Sequence, residues 1–203
     1  MNPRIATLYD IAVQNPVLSR LGARTLWSYD IDRLRDSIAA QDRTALTLDI
    51  PCGGGIAATG NPRHIAADLS RTMLNRARRR TKTLLQADIY ALPFATSTFD
   101  ACVTYNGLHC LTDPAAALLE LTRVLRPGGT LQGTTLVRGT SRRHDTQIAL
   151  LQRLGIFGSP GTATDLHTWL TDAALTDPTL THSGAVTAFT ARKMRDAPPP
   201  GIR

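Results

Sequence analysis

Short β-prone runs alternate with helical stretches from residue 45 onward, and this alternation constrains the fold more than any other feature of the chain. The runs are residues 45–50, 64–68, 83–87, 99–105 and 130–137. Such alternation predicts a mainly parallel sheet with helices on both faces. A sheet of this kind binds ligands at the carboxyl ends of its strands, so the residues that follow each run are the candidates for a functional site.

Capping and breaking residues mark the helices between those runs. Ser70 can cap one helix, and Asp113-Pro114 opens a second that is predicted to end at the Pro-Gly-Gly of residues 127–129. Asp165 is the predicted cap of a third helix. Two last strands follow at 176–182 and 185–191, and the short Ser183-Gly184 link between them predicts an antiparallel hairpin.

These patterns divide the 203 residues into three parts. Residues 1–42 are predicted to be a helical cap with a break near Asn15-Pro16, residues 43–194 an α/β domain, and residues 195–203 a disordered, proline-rich tail. The chain contains no run of about 18 apolar residues, which predicts no transmembrane segment, and its first residues do not resemble a secretory signal. Three cysteines without CxxC spacing indicate no metal or redox motif and favour a reduced, cytoplasmic protein.

The net charge of +7 raises the question of an anionic partner. The one basic cluster comprises Arg76, Arg78, Arg79, Arg80 and Lys82. It falls where a helix is predicted to end, and cations there suit the helix dipole. No aromatic residues are interleaved with it, so a solvated surface is favoured over a nucleic-acid site.

Three acids follow the first three β-prone runs. Asp49 ends the first, Asp68 the second and Asp88 the third. Turns favour Asp, so any one of them could be incidental. Together they predict a row of carboxylates along one edge of the sheet.

A glycine turn separates the first two acids. Residues 53–58, GGGIAA, fit the G-x-G-x-x-A pattern of a dinucleotide site, and an acid at the next strand end can accept hydrogen bonds from a ribose. Two cofactors fit this arrangement: a nicotinamide dinucleotide and S-adenosylmethionine. Asp49, directly before the turn, would repel a pyrophosphate but suits a sulfonium and an ammonium group. The residues therefore favour S-adenosylmethionine.

Three stretches of the sequence carry a family resemblance. They are LDIPCGGG, ADLSRTML and the long block from QADIYALPF to LRPGGTL. The chain resembles the class I S-adenosylmethionine-dependent methyltransferases, closely over about residues 45–137. The resemblance implies a Rossmann-like, doubly wound and mainly parallel seven-stranded sheet with an antiparallel C-terminal hairpin and an N-terminal helical segment. Only about ten residues separate Gly55 from the second strand, so the helix after the glycine turn is predicted to be short.

The same resemblance implies roles for individual residues. The residues expected to hold the methionine end of the cofactor are Asp49, Pro51, Cys52, Gly53 and Gly55. Asp68 would bind the ribose hydroxyls with Leu69 beside the adenine, and Asp88 and Ile89 would read the adenine. Asn106 would lie near the sulfonium or the amino-acid moiety, and Tyr9 is a weaker candidate for contact with cofactor or substrate.

A general base is needed only if the methyl acceptor must lose a proton. His109 is the candidate base, although a histidine that fills space at the family's Leu-His position is the favoured interpretation. His144 is predicted to lie in a solvent-exposed loop, and Cys52 and Cys110 are predicted to pack rather than react.

The predicted function is methyl transfer to an oxygen, nitrogen or carbon atom of a small molecule. The N-terminal helices and residues 138–165 are expected to bind this acceptor, in a pocket that is partly open or is closed by a second subunit in a homodimer. LYDIAVQNPVLSRLGARTLW faintly resembles the start of the ubiquinone/menaquinone biosynthesis methyltransferases. An RNA or protein methyltransferase, a nicotinamide-dependent oxidoreductase and a non-catalytic cofactor-binding module remain as alternatives.

Overall fold

A computed structural model describes residues 16–58 and 60–195. The helices are α1 (Pro16–Trp27), α2 (Asp32–Ala39), α3 (Arg71–Ala77), α4 (Pro114–Val124), α5 (Arg142–Arg153) and α6 (Ala163–Asp172). The strands are β1 (Thr47–Asp49), β2 (His64–Asp68), β3 (Leu84–Gln86), β4 (Phe99–Tyr105), β5 (Leu125–Leu136), β6 (Leu175–Ser183) and β7 (Val186–Lys193). Tyr9 and residues 196–203 of the predicted tail lie outside the described residues.

The seven strands form one sheet in the order β3-β2-β1-β4-β5-β7-β6. The first five strands in this order are parallel to one another, whereas β7 is antiparallel to both β5 and β6. The predicted Rossmann-like fold with its antiparallel hairpin is therefore confirmed. The strand order reverses between β1 and β4, and the carboxyl ends of these strands flank the crevice where such sheets bind ligands.

Hydrogen-bonding side chains begin the helices much as the sequence predicts. The Ser70 hydroxyl accepts the Met73 N–H at 3.4 Å, and the Asp113 carboxylate accepts the Ala116 N–H at 2.9 Å. The third predicted cap is wrong by three residues. Thr162 caps α6, and Asp165 stands at its third position, where the two form a reciprocal capping box.

Two predicted boundaries are also wrong. The Pro-Gly-Gly of residues 127–129 lies within β5 rather than at a helix end, because α4 already stops at Val124. The register against β4 jumps here from Phe99–Leu125 to Ala101–Thr130, and this bulge accommodates a proline that cannot donate to the ladder. The last hairpin turns at residues 184–185, one residue later than predicted.

Each face of the sheet packs against its own apolar cluster. Leu48 and Cys102 on one face are fully buried beneath α4 and α6, which contribute Leu118, Leu121 and Leu170. The opposite face packs Val103 and Tyr105 against α2 and α5, which contribute Leu34, Ile38 and Ile148. None of the helices in the described part of the chain has the length and apolar character needed to cross a membrane.

A turn occupies the place where a helix normally follows β1. Residues 53–57 form turns, and no helix appears among residues 51–58 and 60–63, so the predicted short helix is absent from this part of the described chain. Ala57 is fully buried in the cluster with Val103 and Ile38, and Gly55 lies against Ala77 of α3. The turn thus covers the sheet face itself.

Candidate functional site

The glycine turn is attached to the carboxyl end of β2. The Cys52 N–H donates to the Ala67 carbonyl at 2.8 Å, and the Gly53 N–H donates to the Asp68 carboxylate at 2.9 Å. Gly53 has φ of 52°, and a Cβ added there would meet no atom within 4 Å. The backbone of the turn therefore faces open space beside the acid of β2, as a close approach by a ligand requires.

Asp68 holds the turn with one oxygen and the start of α3 with the other. Its second oxygen accepts the Ser70 N–H at 2.8 Å, and the residue is only 7% exposed. Burial raises the pKa of this carboxyl, and the N–H donors of Ser70 and Gly53 act against the increase. A carboxylate has about four acceptor positions, so two remain for ligand hydroxyls.

Asp49 lies deeper, beneath the turn. It is 1% exposed, and its carboxylate lies 3.4 Å from Nε2 of His64, the first residue of β2. Burial raises the pKa of the Asp49 carboxyl, and the imidazole opposes this. Sequence reasoning missed His64, because its contact with Asp49 arises from the pairing of β1 with β2.

Exposed apolar side chains occur in the glycine turn and in the segments that follow β2 and β3. Leu69 is 63% exposed although it directly follows the buried Asp68, and Ile56 and Tyr90 are also exposed. Asp88 is exposed and accepts the Tyr90 N–H at 3.0 Å, whereas the neighbouring Ile89 side chain is buried. Leu69 lies beside the unused acceptor positions of the Asp68 carboxylate, and this combination suits a ligand with a flat apolar part and hydroxyl groups.

The segment after β4 closes the other side of the site. Asn106 adopts a left-handed conformation with φ of 55°, and its carbonyl Oδ1 accepts the Thr134 hydroxyl at 3.0 Å. A Cβ added to Gly107 would lie 2.5 Å from Cγ of Pro51. The turn after β4 and the glycine turn therefore pack directly on each other. Their contact brings Pro51 and Asn106, predicted separately, to the same place.

His109 is held inside the fold rather than displayed in the site. The Leu136 N–H donates to its Nδ1 at 3.3 Å, Phe157 packs edge-on at 4.6 Å, and the ring is 1% exposed. Burial lowers the pKa of His109 to about 3. Its acceptor nitrogen is already occupied, so this geometry supports the packing interpretation and argues against a general base. A void of about 10 Å³ beside the ring has room for about one water molecule.

His144 is the clearest error among the predicted residues. It is buried near the start of α5 instead of exposed in a loop, with Nδ1 3.0 Å from the Thr140 hydroxyl. Its ring lies 6.3 Å from that of Trp27, which lies 6.1 Å from Phe157. Elements distant in sequence thus build an aromatic cluster beyond the ends of β4 and β5.

Two further sequence predictions concern thiols and metals. Cys52 and Cys102 are buried, and burial raises the pKa of each thiol, which keeps both in the unreactive protonated form. Cys110 is exposed as a residue, yet burial of its thiol raises the thiol pKa to about 12, so this thiol also stays protonated. Within residues 16–58 and 60–195, no group of three or more histidine, cysteine or acidic side chains is placed to hold a metal ion.

Comparison with known proteins identifies related sequences and folds. Residues 48–132 match a methyltransferase domain family. A demethylmenaquinone methyltransferase of Corynebacterium urealyticum is 36% identical over 140 residues, which cover 64% of this chain and 59% of that protein. A ubiquinone/menaquinone biosynthesis C-methyltransferase of Roseobacter denitrificans is 34% identical over 141 residues, 63% of this chain and 54% of that protein. The matched region therefore spans little more than half of each relative.

A solved structure from Thermotoga maritima shares the fold. It is a SAM-dependent methyltransferase described as a possible histamine N-methyltransferase, with a TM-score of 0.71, 17% identity and coverage of 92% of this chain and 99% of that one. The open backbone at Gly53, the acceptor positions of Asp68 and the exposed Leu69 fit the adenosyl part of S-adenosylmethionine. Residues 48–132 are therefore a methyltransferase domain, and the chain has the fold of the class I S-adenosylmethionine-dependent methyltransferases.

Proposed function

We propose that this protein transfers the methyl group of S-adenosylmethionine to a small aromatic acceptor. The observation that carries the proposal is the glycine turn held open against Asp68, within a domain that matches methyltransferases. The names of the two bacterial relatives refer to quinones, and this supports a small-molecule acceptor over RNA or protein.

The chain's own residues bind and orient the cofactor. Asp68 accepts the ribose hydroxyls with its two remaining acceptor positions, and Leu69 packs on the adenine. Asp49 contributes negative charge beneath the turn, which favours a cationic ligand. When bound, S-adenosylmethionine would supply a methyl group on a sulfonium, from which the neutral thioether S-adenosylhomocysteine is a good leaving group. Catalysis then depends mainly on positioning the two partners.

The acceptor lies against the aromatic cluster of Trp27, His144 and Phe157. Trp27 is partly exposed, whereas Phe157 and His144 are buried behind it, so the cluster presents one accessible ring with rigid support. Aromatic rings pack well in offset or edge-to-face arrangements, and a planar quinol ring is suited to such a wall. These residues come from α1 and from the segment after β5, the regions in which the sequence predicts acceptor binding.

Calorimetry and a transfer assay test the proposal in two steps. Titration with S-adenosylmethionine, S-adenosylhomocysteine and NADH should show binding of the two sulfur compounds only. Incubation with methyl-labelled S-adenosylmethionine should then label a reduced naphthoquinone but neither RNA nor protein. Binding of NADH alone would indicate an oxidoreductase, cofactor binding without any transfer would indicate a non-catalytic module, and labelled RNA or protein would reject the small-molecule acceptor.

A further inference from the structure

A cavity of about 230 Å³ lies between α2 and the β6–β7 hairpin, away from the cofactor site. Strands β4 and β5 separate β7 from β1 in the sheet. At about 4.8 Å per strand, the cavity lies about 14 Å sideways from the end of β1. A single water molecule needs only about 10–15 Å³ by the same measure, so there is room for a small organic molecule.

Tyr29 lines this cavity, and its hydroxyl is buried beside it. Tyr29 is 6% exposed, and its Oη forms no hydrogen bond to the described residues. Burial raises the pKa of Tyr29 to about 12, so the group remains a neutral O–H donor. Buried polar groups without partners are rare in native structures and call for an explanation such as a ligand or an ordered water.

Two opposite charges stand at the mouth of the same cavity, one turn apart on α2. Arg33 donates one guanidinium N–H to the His182 carbonyl at 3.2 Å and keeps further donors. Asp36 is exposed, and its carboxylate forms no ion pair or hydrogen bond within the described part of the chain. The floor is apolar and consists of Val186 and Ala188.

These groups define the chemistry of one ligand. Arg33 and Tyr29 are both donors and suit a carboxylate, whereas Asp36 suits an ammonium group. We propose that this cavity binds a small zwitterion of the α-amino acid class, with its side chain on Val186 and Ala188, at a site separate from that of the cofactor.

The site can be tested by titration of the full chain with L-alanine, monitored through the NMR methyl signals of Val186 and Ala188. Propionate and ethylamine each lack one charged group of alanine and serve as matched probes. L-alanine should shift both signals saturably, and each matched probe should bind at least about tenfold more weakly, because a charged hydrogen bond is lost. The titration needs no cofactor, so its failure leaves the proposed methyl transfer untouched.

Three variants complete the test. Asp36→Asn and Tyr29→Phe should weaken L-alanine binding by about tenfold and severalfold, respectively, while the amide spectrum stays that of the folded chain. Arg79→Gln, which removes an exposed charge beyond α3, should bind like the wild type. No saturable shift with L-alanine, equal binding of all three probes, or wild-type affinity in Asp36→Asn would each overturn the assignment and leave a cavity that holds water only.

Discussion

Replacing Asp68 with alanine tests the central contact of the cofactor site, because this carboxylate has two separable functions. It holds the N–H groups of Gly53 and Ser70 at 2.9 and 2.8 Å, and it is proposed to accept the ribose hydroxyls. Asp68→Ala removes both functions without introducing bulk into a site that is 7% exposed. The two losses appear in different measurements.

The stability loss follows from the two backbone donors. Charged hydrogen bonds contribute about 1.5–3 kcal/mol each. Gly53 and Ser70 are only half-buried, so in the variant water can accept from their N–H groups and recover part of the lost stability. A further part is recovered because the variant no longer buries a carboxylate away from water. We expect the free energy of unfolding to fall by about 2 kcal/mol. In a domain of this size that corresponds to a melting temperature lower by roughly 4–8 °C.

The affinity loss is measured by calorimetric titration with S-adenosylhomocysteine at a temperature where the variant is folded. Loss of the ribose contacts should weaken binding by about 1–3 kcal/mol, roughly fivefold to 150-fold. Asp88→Ala is the control for stability, since Asp88 is exposed and, among the described residues, its carboxylate accepts a hydrogen bond from the Tyr90 N–H only. Its unfolding free energy should change by less than about 0.5 kcal/mol. Unchanged affinity in Asp68→Ala would refute the ribose contact, and unchanged stability would refute its anchoring of the turn.

Three further substitutions test other parts of the fold and site. Gly107→Ala should lower the unfolding free energy by about 1–3 kcal/mol and weaken cofactor binding, because the new methyl group would overlap Pro51. His109→Gln should remove one contribution to the pH dependence of the free energy of unfolding. Burial lowers the His109 pKa from 6.5 to about 3, so between these pH values only the unfolded chain takes up a proton at this residue. As the pH is lowered from 6.5 towards 3, the free energy of unfolding of the wild type should therefore decrease more steeply than that of the variant, by about 1.4 kcal/mol per pH unit. Asp113→Ala should destabilise the protein by about 0.5–2 kcal/mol through loss of the bond to the Ala116 N–H.

Denaturant unfolding measures all three effects, with cofactor titration added for Gly107→Ala. Gly22→Ala is its matched control, since a Cβ there would meet no atom within 4 Å. Wild-type behaviour of Gly107→Ala would contradict the packing of the two turns. Parallel pH profiles for wild type and His109→Gln would contradict a buried neutral imidazole. A wild-type denaturant unfolding curve for Asp113→Ala would contradict the cap.

The sheet could be predicted from sequence wherever local pattern and tertiary environment agree. The bounds of β2 and β4 are those predicted, because each run is apolar and ends near a polar turn. The Pro-Gly-Gly of residues 127–129 misled the prediction, since proline and glycine usually end elements. In β5 they coincide with a bulge opposite Asp100, which only the pairing with β4 reveals.

Site residues could be predicted where their place depends on local position in the sequence. They could not be predicted where it depends on contacts between residues that are far apart in the sequence. Asp68 and the glycine turn come together because β1 and β2 are neighbours in the sheet. The pairing of His64 with Asp49 needs the register of β1 and β2. His144 is buried because Trp27, from the far end of the chain, packs against it, and no local pattern encodes that contact.

The turn after β1 also bears on the choice between the two cofactors. In dinucleotide folds the backbone N–H groups of the glycine turn and of the helix that follows it point at the pyrophosphate. Here the Gly53 N–H donates to Asp68, and the Gly55 N–H donates to the Cys52 carbonyl at 2.8 Å. A pyrophosphate would have to displace the Asp68 carboxylate from the Gly53 N–H and the Cys52 carbonyl from the Gly55 N–H, while it approached the negative charge of Asp68. The contacts inside the turn therefore disfavour an anionic ligand, as the acid before it does, and both favour a cofactor that carries positive charge and no phosphate.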